Sequence, residues 1–518
     1  MLKKLAASPF LLILLVAFII YGQVLSFDFT YLDDVILIRQ HHQFFNDSRN
    51  IPHLFLEPDR ISPLFYRPLL HLPFFLEAKI GGSQPLVYHL TTLLIHILAS
   101  YAVFLFFLEF GYKRKPALWT ALVFTAHPVL TQAVAWIPGR TDSLWSLLAL
   151  LSFLFLLRGL KTKQWYLLLS GLFFSLALLT KETAVIVPLL ALLYIFLFRP
   201  ASARGREIFL YSAFTLPLLA LWFTLRWFVL KTVLGGSTAL IFQSIVNHLP
   251  TFFSYLGKII FPVGLSGLPY LSDLPIYPGL IAFALMTTFV VFSLKRAKTD
   301  STEALLQHRR LIFFYTVWFI LFLLPSFVMS SIVHESRIYL PLVGFLGLLL
   351  EGGVFDYISS FRLSPTLLSL FIFILGNITF SYSRVFTNPL SFWQHAVESS
   401  PHFPLAHRNL GVMYYFERQD EAALRHYQQA LTLNPAEPMV HNNLGLILLR
   451  QGKLEQALSE FDLEIAVNPT YDVAYENIAS VLYQQGNQEQ ARQAAAQALR
   501  LNPQNRGATE LLKYLETK

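Results

Sequence analysis

The chain contains no cysteine, and charged residues make up only 14% of its 518 residues. The lack of cysteine excludes disulfide bonds and thiol catalysis, although it does not identify a compartment. Soluble domains carry roughly 25% charged residues. Hydrophobic residues instead make up 55% of this chain, which is too long to fold around one soluble core. We therefore expect much of it to lie in a lipid bilayer.

Hydrophobicity and charge are distributed unevenly along the chain. Residues 1–385 consist of apolar runs separated by short polar breaks, whereas residues 386–518 have the pattern of a soluble helical domain. From Pro401 onwards there are 10 Lys and Arg against 13 Asp and Glu, so the basic surplus of the chain lies in its first part. Since this surplus occupies short loops between apolar runs, it indicates membrane topology and no nucleic-acid partner.

Twelve apolar segments are candidates for membrane spans. They are 8–26, 88–110, 117–135, 143–158, 165–180, 184–198, 207–230, 249–264, 278–294, 311–330, 338–355 and 364–382. Several are shorter than the roughly 20 residues of a full span, so aromatic or polar flanks must complete them.

The basic breaks predict the orientation of the spans, because positively charged loops stay in the cytoplasm. This places residues 27–87, the first long polar segment, on the extracytoplasmic side. The segment 249–264 conflicts with the rule, because a full span there would put the basic loop 295–310 outside. We therefore expect 249–264 to be tilted, half inserted or interfacial, and about 11 or 12 spans in total. The last span then brings residues 386–518 to the outer side.

Proline recurs every 34 residues in the last part of the chain. It occupies Pro401, Pro435, Pro469 and Pro503. This is the period of tetratricopeptide (TPR) repeats, in which small residues allow two helices to approach closely and proline ends the second helix. We predict three full repeats, at 402–435, 436–469 and 470–503, with a half-repeat before them and a capping helix after them. Such an α-solenoid has a concave surface that can bind a partner.

Asparagine occurs at the same position of each predicted repeat, at Asn409, Asn443 and Asn477. Amide side chains in this arrangement can hold the backbone of a bound peptide by hydrogen bonds. Alternatively, they bond only to neighbouring helices. The sequence favours neither alternative.

Two adjacent carboxylates, Asp33 and Asp34, follow the first predicted span in an otherwise apolar stretch. Their mutual repulsion is expected to raise the pKa of one of them. A carboxylate of this kind can act as a general base on an acceptor hydroxyl. The alternative is a solvated cap at the N-terminus of a helix, where aspartate is favoured for structural reasons.

Further polar motifs lie in the predicted outer loops or at their ends. They are Tyr66–Leu69, Tyr88–His89, His127–Val129 with Gly139–Arg140, Lys181–Glu182 and Arg337–Pro341. Each motif alone has low specificity. Their joint order, with Asp33–Asp34 before them and TPR repeats after the last span, resembles the family of transmembrane and TPR-containing O-mannosyltransferases (TMTC). That family has the GT-C glycosyltransferase fold, so the resemblance implies an all-α, polytopic helix bundle followed by a TPR solenoid.

The resemblance also implies a reaction. In this family a sugar, mannose or similar, moves with inversion from a polyprenyl-phosphate donor to a hydroxyl group of an extracytoplasmic protein, and the TPR groove would recruit that acceptor. Asp33 and Asp34 would be catalytic. The candidates for binding the donor phosphate or sugar are Arg67, His127, Arg140, Asp142, Lys181, Glu182 and Arg337. No cofactor is implied, and a divalent metal is left open.

The chain departs from the family pattern in two respects. Gln132 is neutral where the second outer motif commonly has an acidic residue, and Asp142 is the nearest carboxylate. The repeat array is also shorter than in the animal proteins. Both departures leave the sugar and the acceptor open. A compact chain with few repeats and no retention signal favours a bacterial-type member in the inner membrane, with its repeats in the periplasm.

Two other classes of protein compete with an enzyme. A non-catalytic membrane scaffold would use the repeats to dock partner proteins, but it has no use for the acidic pair or for the clustered outer cations. A transporter commonly shows internal repeat symmetry among its spans, and no clear repeat is present here. The sequence therefore favours a glycosyltransferase, with the scaffold as the alternative.

Overall fold

The computed structural model describes residues 8–231, 238–296, 302–328, 332–354 and 364–517. The described part is almost wholly helical, and β-pairing within it is limited to one bridge between Tyr270 and Ile332. The predicted all-α fold class is confirmed. The chain forms two compact units, of which the first ends at Phe392 and the second begins at Trp393.

The first unit contains most of the helices. Its α-helices are Pro9–Tyr21, His42–Asn46, His53–Leu56, Pro68–Gly81, Pro85–Glu109, Arg114–Ala126, Gln132–Ala135, Arg140–Lys161, Tyr166–Leu178, Val187–Phe198, Ala201–Leu230, Thr238–Asn247, Leu249–Ile260, Tyr277–Arg296, Thr302–Leu323, Pro341–Glu351 and Ser364–Ser383. Its 3₁₀ helices are Gly22–Ser26, Ser48–Asn50, Pro128–Leu130, Ile137–Gly139, Glu182–Ile186, Leu271–Asp273, Leu324–Phe327, Glu335–Ile338 and Arg384–Phe386, and Val35–Gln40 is a π-helix.

Each of the twelve predicted spans has a helical counterpart in the described residues. Seven helices are long and apolar enough to cross a membrane, and one bent helix pair forms an eighth candidate. Three shorter apolar helices correspond to the predicted spans at 165–180, 184–198 and 338–355. The protein is therefore a multi-pass membrane protein, and hydropathy alone located almost all of its apolar helices.

The bent pair lies at the second predicted outer turn. Arg114–Ala126 and Pro128–Ala135 meet at 54°, and the imidazole Nδ1 of His127 accepts a hydrogen bond from the amide of Val129 at 3.3 Å. Residues 131–140 are all buried. Irregular backbone at membrane depth is tolerated where protein surrounds it. This turn therefore reaches into the interior of the first unit.

The helix Leu249–Ile260 differs from the other predicted spans. Its 12 residues extend over about 18 Å, well short of the roughly 30 Å hydrocarbon core. It packs so closely on the next long helix that a Cβ on Gly279 would collide with the carbonyl oxygen of Phe253. A short helix of this kind agrees with the expectation that 249–264 does not make a full crossing.

The first outer loop folds around an apolar core of its own. The core includes Phe29, Leu37, Phe45 and Phe74, and it also involves Tyr88 at the start of the next span. Burial of these aromatic side chains stabilises the loop by the hydrophobic effect. Polar groups of the loop are therefore held in fixed positions.

The second unit consists of paired helices. They are Pro404–Phe416 with Asp420–Leu433, Val440–Arg450 with Leu454–Val467, and Asp472–Gln484 with Gln488–Leu501, and the last helix is Arg506–Glu516. Gly411 lies against the ring of Tyr427, and Gly445 lies in the same way against Phe461. These contacts are the small-to-large packing that the 34-residue period predicts.

Candidate functional site

Asp34 is buried and has a structural role in the first outer loop. Its carboxylate accepts hydrogen bonds from the amide of Thr30 at 2.6 Å, the hydroxyl of Thr30 at 2.9 Å, and the amides of Leu32 and Val35 at 3.1 and 2.9 Å. Burial raises the pKa of Asp34 even though these bonds favour the charged form. The carboxylate oxygens are thus occupied by the turn that they stabilise.

Asp33 has a different environment. Within the described residues its carboxylate forms no hydrogen bond and no ion pair. Burial, followed by the negative charges of Asp34 and Asp59, raises the pKa of Asp33 to about 6. An unpaired carboxylate with a pKa near neutrality is suited to accept a proton.

The charge of Asp59 acts on the acidic residue Asp33, and the charge of Arg67 acts in turn on Asp59. It accepts a hydrogen bond from His71 at 2.8 Å and from the amides of Ile61 and Ser62 at 2.9 and 3.1 Å. Although burial raises the pKa of Asp59, these bonds and the charge of Arg67 lower it below the usual value. Asp59 therefore stays ionised while Asp33, which is close enough to feel its charge, is harder to ionise.

Arg67 joins the first outer loop to the third outer turn. Its guanidinium donates to the carboxylate of Glu182 at 2.9 Å and lies over the ring of Phe65. The amide of Leu69 also donates to the carbonyl of Leu179 at 3.0 Å. These contacts fix the position of Arg67, and they neutralise part of its charge.

Lys181 and Asp142 form an ion pair between the third and second outer turns. Asp142 also accepts hydrogen bonds from the indole of Trp145 at 3.1 Å and from the hydroxyl of Ser336 at 2.8 Å. The turn that carries Ser336 is therefore attached to the second outer turn. This attachment brings Arg337, the next residue, into the same region.

Arg337 is partly buried, and its guanidinium has no partner within the described residues. Its neighbour Glu335 pairs instead with Lys258 at 2.6 Å and accepts a hydrogen bond from Tyr382 at 3.0 Å. Glu335 and Arg337 therefore do not form a salt bridge with each other. The structure leaves the positive charge of Arg337 available for an anionic ligand.

Three cations converge on this region. Arg67 and Arg337 both lie close enough to Lys181 for their charges to act on its ammonium group. Like charges in proximity are costly unless an anion is also bound. The carboxylates of Glu182 and Asp142 neutralise two of them, so one positive charge remains. The arrangement suits a phosphate group.

Arg140 and His127 are held away from solvent by partners of their own. Arg140 is fully buried, forms a bidentate ion pair with Glu77 at 2.5 and 2.9 Å, and lies over the ring of Phe74. His127 donates through Nε2 to the carbonyl of Ile259 at 3.0 Å. Both residues connect elements of the first unit, and Nε of Arg140 is buried without a hydrogen-bond partner.

Both the nitrogen and the oxygen of the Gln132 side-chain amide form hydrogen bonds within the protein. Its nitrogen donates to the carbonyl of Gly267 at 2.8 Å and to Nδ1 of His334 at 3.2 Å, and its oxygen accepts from the amide of Ser336 at 2.9 Å. A carboxylate could not donate the first two bonds. The neutral residue at this position is therefore matched to its surroundings.

Several residues in or beside the site were not identified from the sequence. They are Asp59, His71, Glu77, Arg226 and Lys258. Lys258 and Arg226 are charged residues inside predicted apolar segments, and that pattern is a signal for function in membrane proteins. The others are recognisable only once the fold brings distant segments together, as with Glu77 and Arg140, 63 positions apart.

The recurring asparagines of the second unit have unlike partners. The oxygen of Asn409 accepts from Arg408 at 3.2 Å, and the amide of Asn477 donates to Asn442 at 2.8 Å. The side chain of Asn443 has no partner within the described residues. One asparagine of the three is therefore bonded to a neighbouring helix, whereas the amide of Asn443 is available to a ligand.

In the part of the chain that the structure describes, no group of three or more His, Cys, Asp or Glu side chains is arranged to hold a metal ion. Asp34, Asp59, Asp142 and Glu182 are instead engaged with backbone amides, His71 or cations.

Comparison with known proteins finds a family match in each of the two units. Residues 68–228 match the family model described as dolichyl-phosphate-mannose-protein mannosyltransferase. Residues 418–452 match a model of the TPR repeat, and residues 473–505 match a second model, of the tetratricopeptide repeat. The first match covers the helices that carry Arg140, Asp142 and Lys181, and the other two confirm the repeats.

Curated relatives of the chain are named protein O-mannosyl-transferases. The chain is 35% identical over 196 residues to human protein O-mannosyl-transferase TMTC2, a stretch that covers 34% of this chain and 22% of the relative. It is 34% identical over 160 residues to mouse TMTC1, covering 29% and 17%, and 36% identical over 126 residues to Drosophila Tmtc1, covering 24% and 15%. The matched part thus spans less than a quarter of the length of these relatives.

The fold defines a multi-pass membrane protein with C-terminal TPR repeats. Within that class, the similarity of its membrane unit is to the TMTC protein O-mannosyltransferases. The resemblance inferred from the order of the sequence motifs is confirmed.

Proposed function

We propose that this protein transfers a sugar, mannose or similar, from a polyprenyl-phosphate donor to hydroxyl groups of extracytoplasmic proteins. The observation that carries the proposal is that two groups of opposite charge, the carboxylate of Asp33 and the guanidinium of Arg337, have no ion-pair partner within the described residues. A chain of charge interactions through Asp59, Arg67 and Lys181 links them. The family match of residues 68–228 supplies the class of reaction.

The proposed step is a single displacement at the anomeric carbon of the donor. The acceptor oxygen forms a bond to that carbon, the bond between the carbon and the phosphate oxygen breaks, and the configuration inverts. Asp33 takes the proton of the acceptor hydroxyl. One base is sufficient because polyprenyl phosphate leaves as an anion and needs no proton to do so.

The cation cluster has a defined part in this step. Negative charge grows on the phosphate oxygens as the bond to the sugar breaks, and fixed positive groups stabilise it. Arg337 is the principal candidate for direct contact because its charge is uncompensated, while Lys181 and Arg67 add to the local potential. Arg140, Asp142 and Glu182 hold the turns that present these cations.

The second unit is proposed to recruit the protein acceptor. Its concave surface and the unbonded amide of Asn443 are suited to an extended peptide. The positions of the basic loops support a topology in which the acidic pair and the repeats lie on the extracytoplasmic side. We propose a bacterial inner membrane as the location, with the repeats in the periplasm.

The proposal is tested by mass spectrometry of extracytoplasmic proteins from cells with the wild-type gene, without it, and with Asp33→Asn. Asp47→Asn is the matched control, because Asp47 is a carboxylate of the same loop that pairs with Arg49 away from the cation cluster. We expect sugar-modified peptides with the wild type and the control only. A glycan pattern that is the same in all four strains would instead favour a non-catalytic scaffold.

A further inference from the structure

The helix Ala201–Leu230 buries an unusual set of side chains. Most of its surface is exposed on the protein, as expected of a helix that faces lipid. Its four buried residues are Tyr211, Thr215, Trp222 and Arg226. Their spacings of four, seven and four place them on one face of the helix. This long apolar helix therefore turns a stripe of polar groups towards the protein interior.

Three of the four side chains in this stripe carry hydrogen-bond donors that lack acceptors, whereas Thr215 donates to the carbonyl of Tyr211 at 2.9 Å. The hydroxyl of Tyr211, the indole nitrogen of Trp222 and Nε of Arg226 are all buried without a hydrogen-bond partner. Arg226 is 8% exposed, and no carboxylate pairs with it within the described residues. A buried cation without a counter-charge is costly. The site is therefore short of one anionic acceptor.

Arg226 lies at a depth similar to that of the cation cluster. The helices Tyr166–Leu178 and Ala201–Leu230 are in contact where Gly171 meets Phe214 and Leu218. Arg226 and Lys181 each follow that contact by about ten residues, or about 15 Å of helix. Since both segments run towards the predicted outer side, Arg226 is near the outer leaflet.

The residues around Arg226 favour a ligand with a long apolar part. Phe223, Trp227 and Phe228 are 46%, 51% and 72% exposed on the outside of the same helix turn. An acyl or isoprenoid chain can pack along these rings while its head group reaches the buried donors. A soluble anion has no apolar part that could pack against this surface.

We propose that Trp222 and Arg226 bind the phosphate group of a lipid monophosphate whose chain lies along Phe223, Trp227 and Phe228. The ligand is a polyprenyl phosphate, and its identification as the donor or as the spent carrier of the transfer reaction rests on the proposed function. Arg226 donates charge-assisted hydrogen bonds to the phosphate oxygens, and the indole of Trp222 adds a neutral one. The helix thereby guides the lipid towards Lys181 and Arg337.

The test measures binding of undecaprenyl phosphate to the full-length protein in phosphatidylcholine nanodiscs by native mass spectrometry. The variants are Arg226→Gln, Arg226→Lys and Trp222→Phe, with Arg206→Gln as the matched control, since Arg206 is an exposed arginine of the same helix. We expect Arg226→Gln to weaken binding by about tenfold or more, Arg226→Lys and Trp222→Phe to weaken it less, and the control to bind normally. Undecaprenol, which lacks the phosphate, should bind all proteins alike.

Equal affinity of the wild type and Arg226→Gln for undecaprenyl phosphate would overturn the proposal. If Arg226→Gln does not fold, unchanged affinity in both Arg226→Lys and Trp222→Phe would do so. Phosphatidylglycerol is the second probe, and equally tight binding that is lost in the same variants would overturn the polyprenyl assignment in favour of a bilayer lipid. Normal lipid binding by a wild type that transfers no sugar would reject the proposed function while leaving this site intact.

Discussion

At the residue scale, Asp33 and Asp34 show how two adjacent carboxylates acquire different roles. Asp34 accepts four hydrogen bonds from its own turn, so its oxygens have little capacity for a substrate. Asp33 accepts none within the described residues and has a pKa raised to about 6. The sequence predicted the pair as catalytic without separating its members. The contacts favour Asp33 as the base and Asp34 as its structural support.

The raised pKa of Asp33 predicts the pH dependence of transfer. The base must be ionised, so the rate should rise as the pH passes through about 6 and level off above it. Ionisation of this carboxylate is disfavoured in the fold relative to the unfolded chain, so it reduces stability at pH 8 and not at pH 4. Asp33→Asn should therefore abolish transfer while raising the melting temperature at pH 8 only.

Asp34→Asn serves as the comparison for that prediction. Asparagine keeps one acceptor oxygen where the carboxylate had two, and the lost charge-assisted bonds are worth about 1.5–3 kcal/mol each. We expect a lower melting temperature for this variant and partial transfer activity. Melting curves of the two variants at pH 4 and pH 8 check both statements, and a destabilised Asp33→Asn protein at pH 8 would count against the assignment.

At the element scale, buried ion pairs connect segments that are distant in sequence. The pair between Arg140 and Glu77 attaches the helix Pro68–Gly81 to the start of Arg140–Lys161. The pair between Lys258 and Glu335 attaches the short helix Leu249–Ile260 to the turn that carries Arg337. These contacts hold the outer loops in the arrangement that the site requires.

The Arg140–Glu77 pair predicts strong and non-additive destabilisation. Removal of one partner leaves a buried charge without its counter-charge, which typically costs about 3–5 kcal/mol. Glu77→Gln and Arg140→Met should each lower the melting temperature markedly. The double variant should be more stable than the sum of the two effects predicts. Thermal unfolding of the purified protein in nanodiscs measures this, and additive effects would exclude a coupled pair.

The short helix Leu249–Ile260 predicts that the residues on either side of it lie on one side of the membrane. The chain has no cysteine, so single cysteines can be introduced without interference. Asn247→Cys and Ser272→Cys should both react with an impermeant maleimide in intact spheroplasts. Lys115→Cys, in a basic loop, should react only after permeabilisation. Labelling of Asn247→Cys and Ser272→Cys from opposite sides would show that this helix crosses the membrane.

At the scale of the whole molecule, local patterns predicted more of the structure than of the site. The apolar runs and the 34-residue period depend on neighbours in sequence, so the helices and repeats were predictable. Glu77 could not be matched to Arg140, nor Lys258 to Glu335, because those contacts depend on how separate helices pack. Hydropathy suggested a span at 249–264, and the basic loop 295–310 distinguished that segment from the others before the structure showed its short helix.

The most direct measurement is sugar transfer by the purified full-length protein in liposomes. The donor is polyprenyl-phosphate mannose, and the acceptors are the proteins found to be modified in cells. The predicted result is transfer with inversion by the wild type and by Asp47→Asn, and no transfer by a folded Asp33→Asn protein. Equal transfer by Asp33→Asn and the wild type would contradict the central claim that the carboxylate of Asp33 accepts the proton of the acceptor hydroxyl.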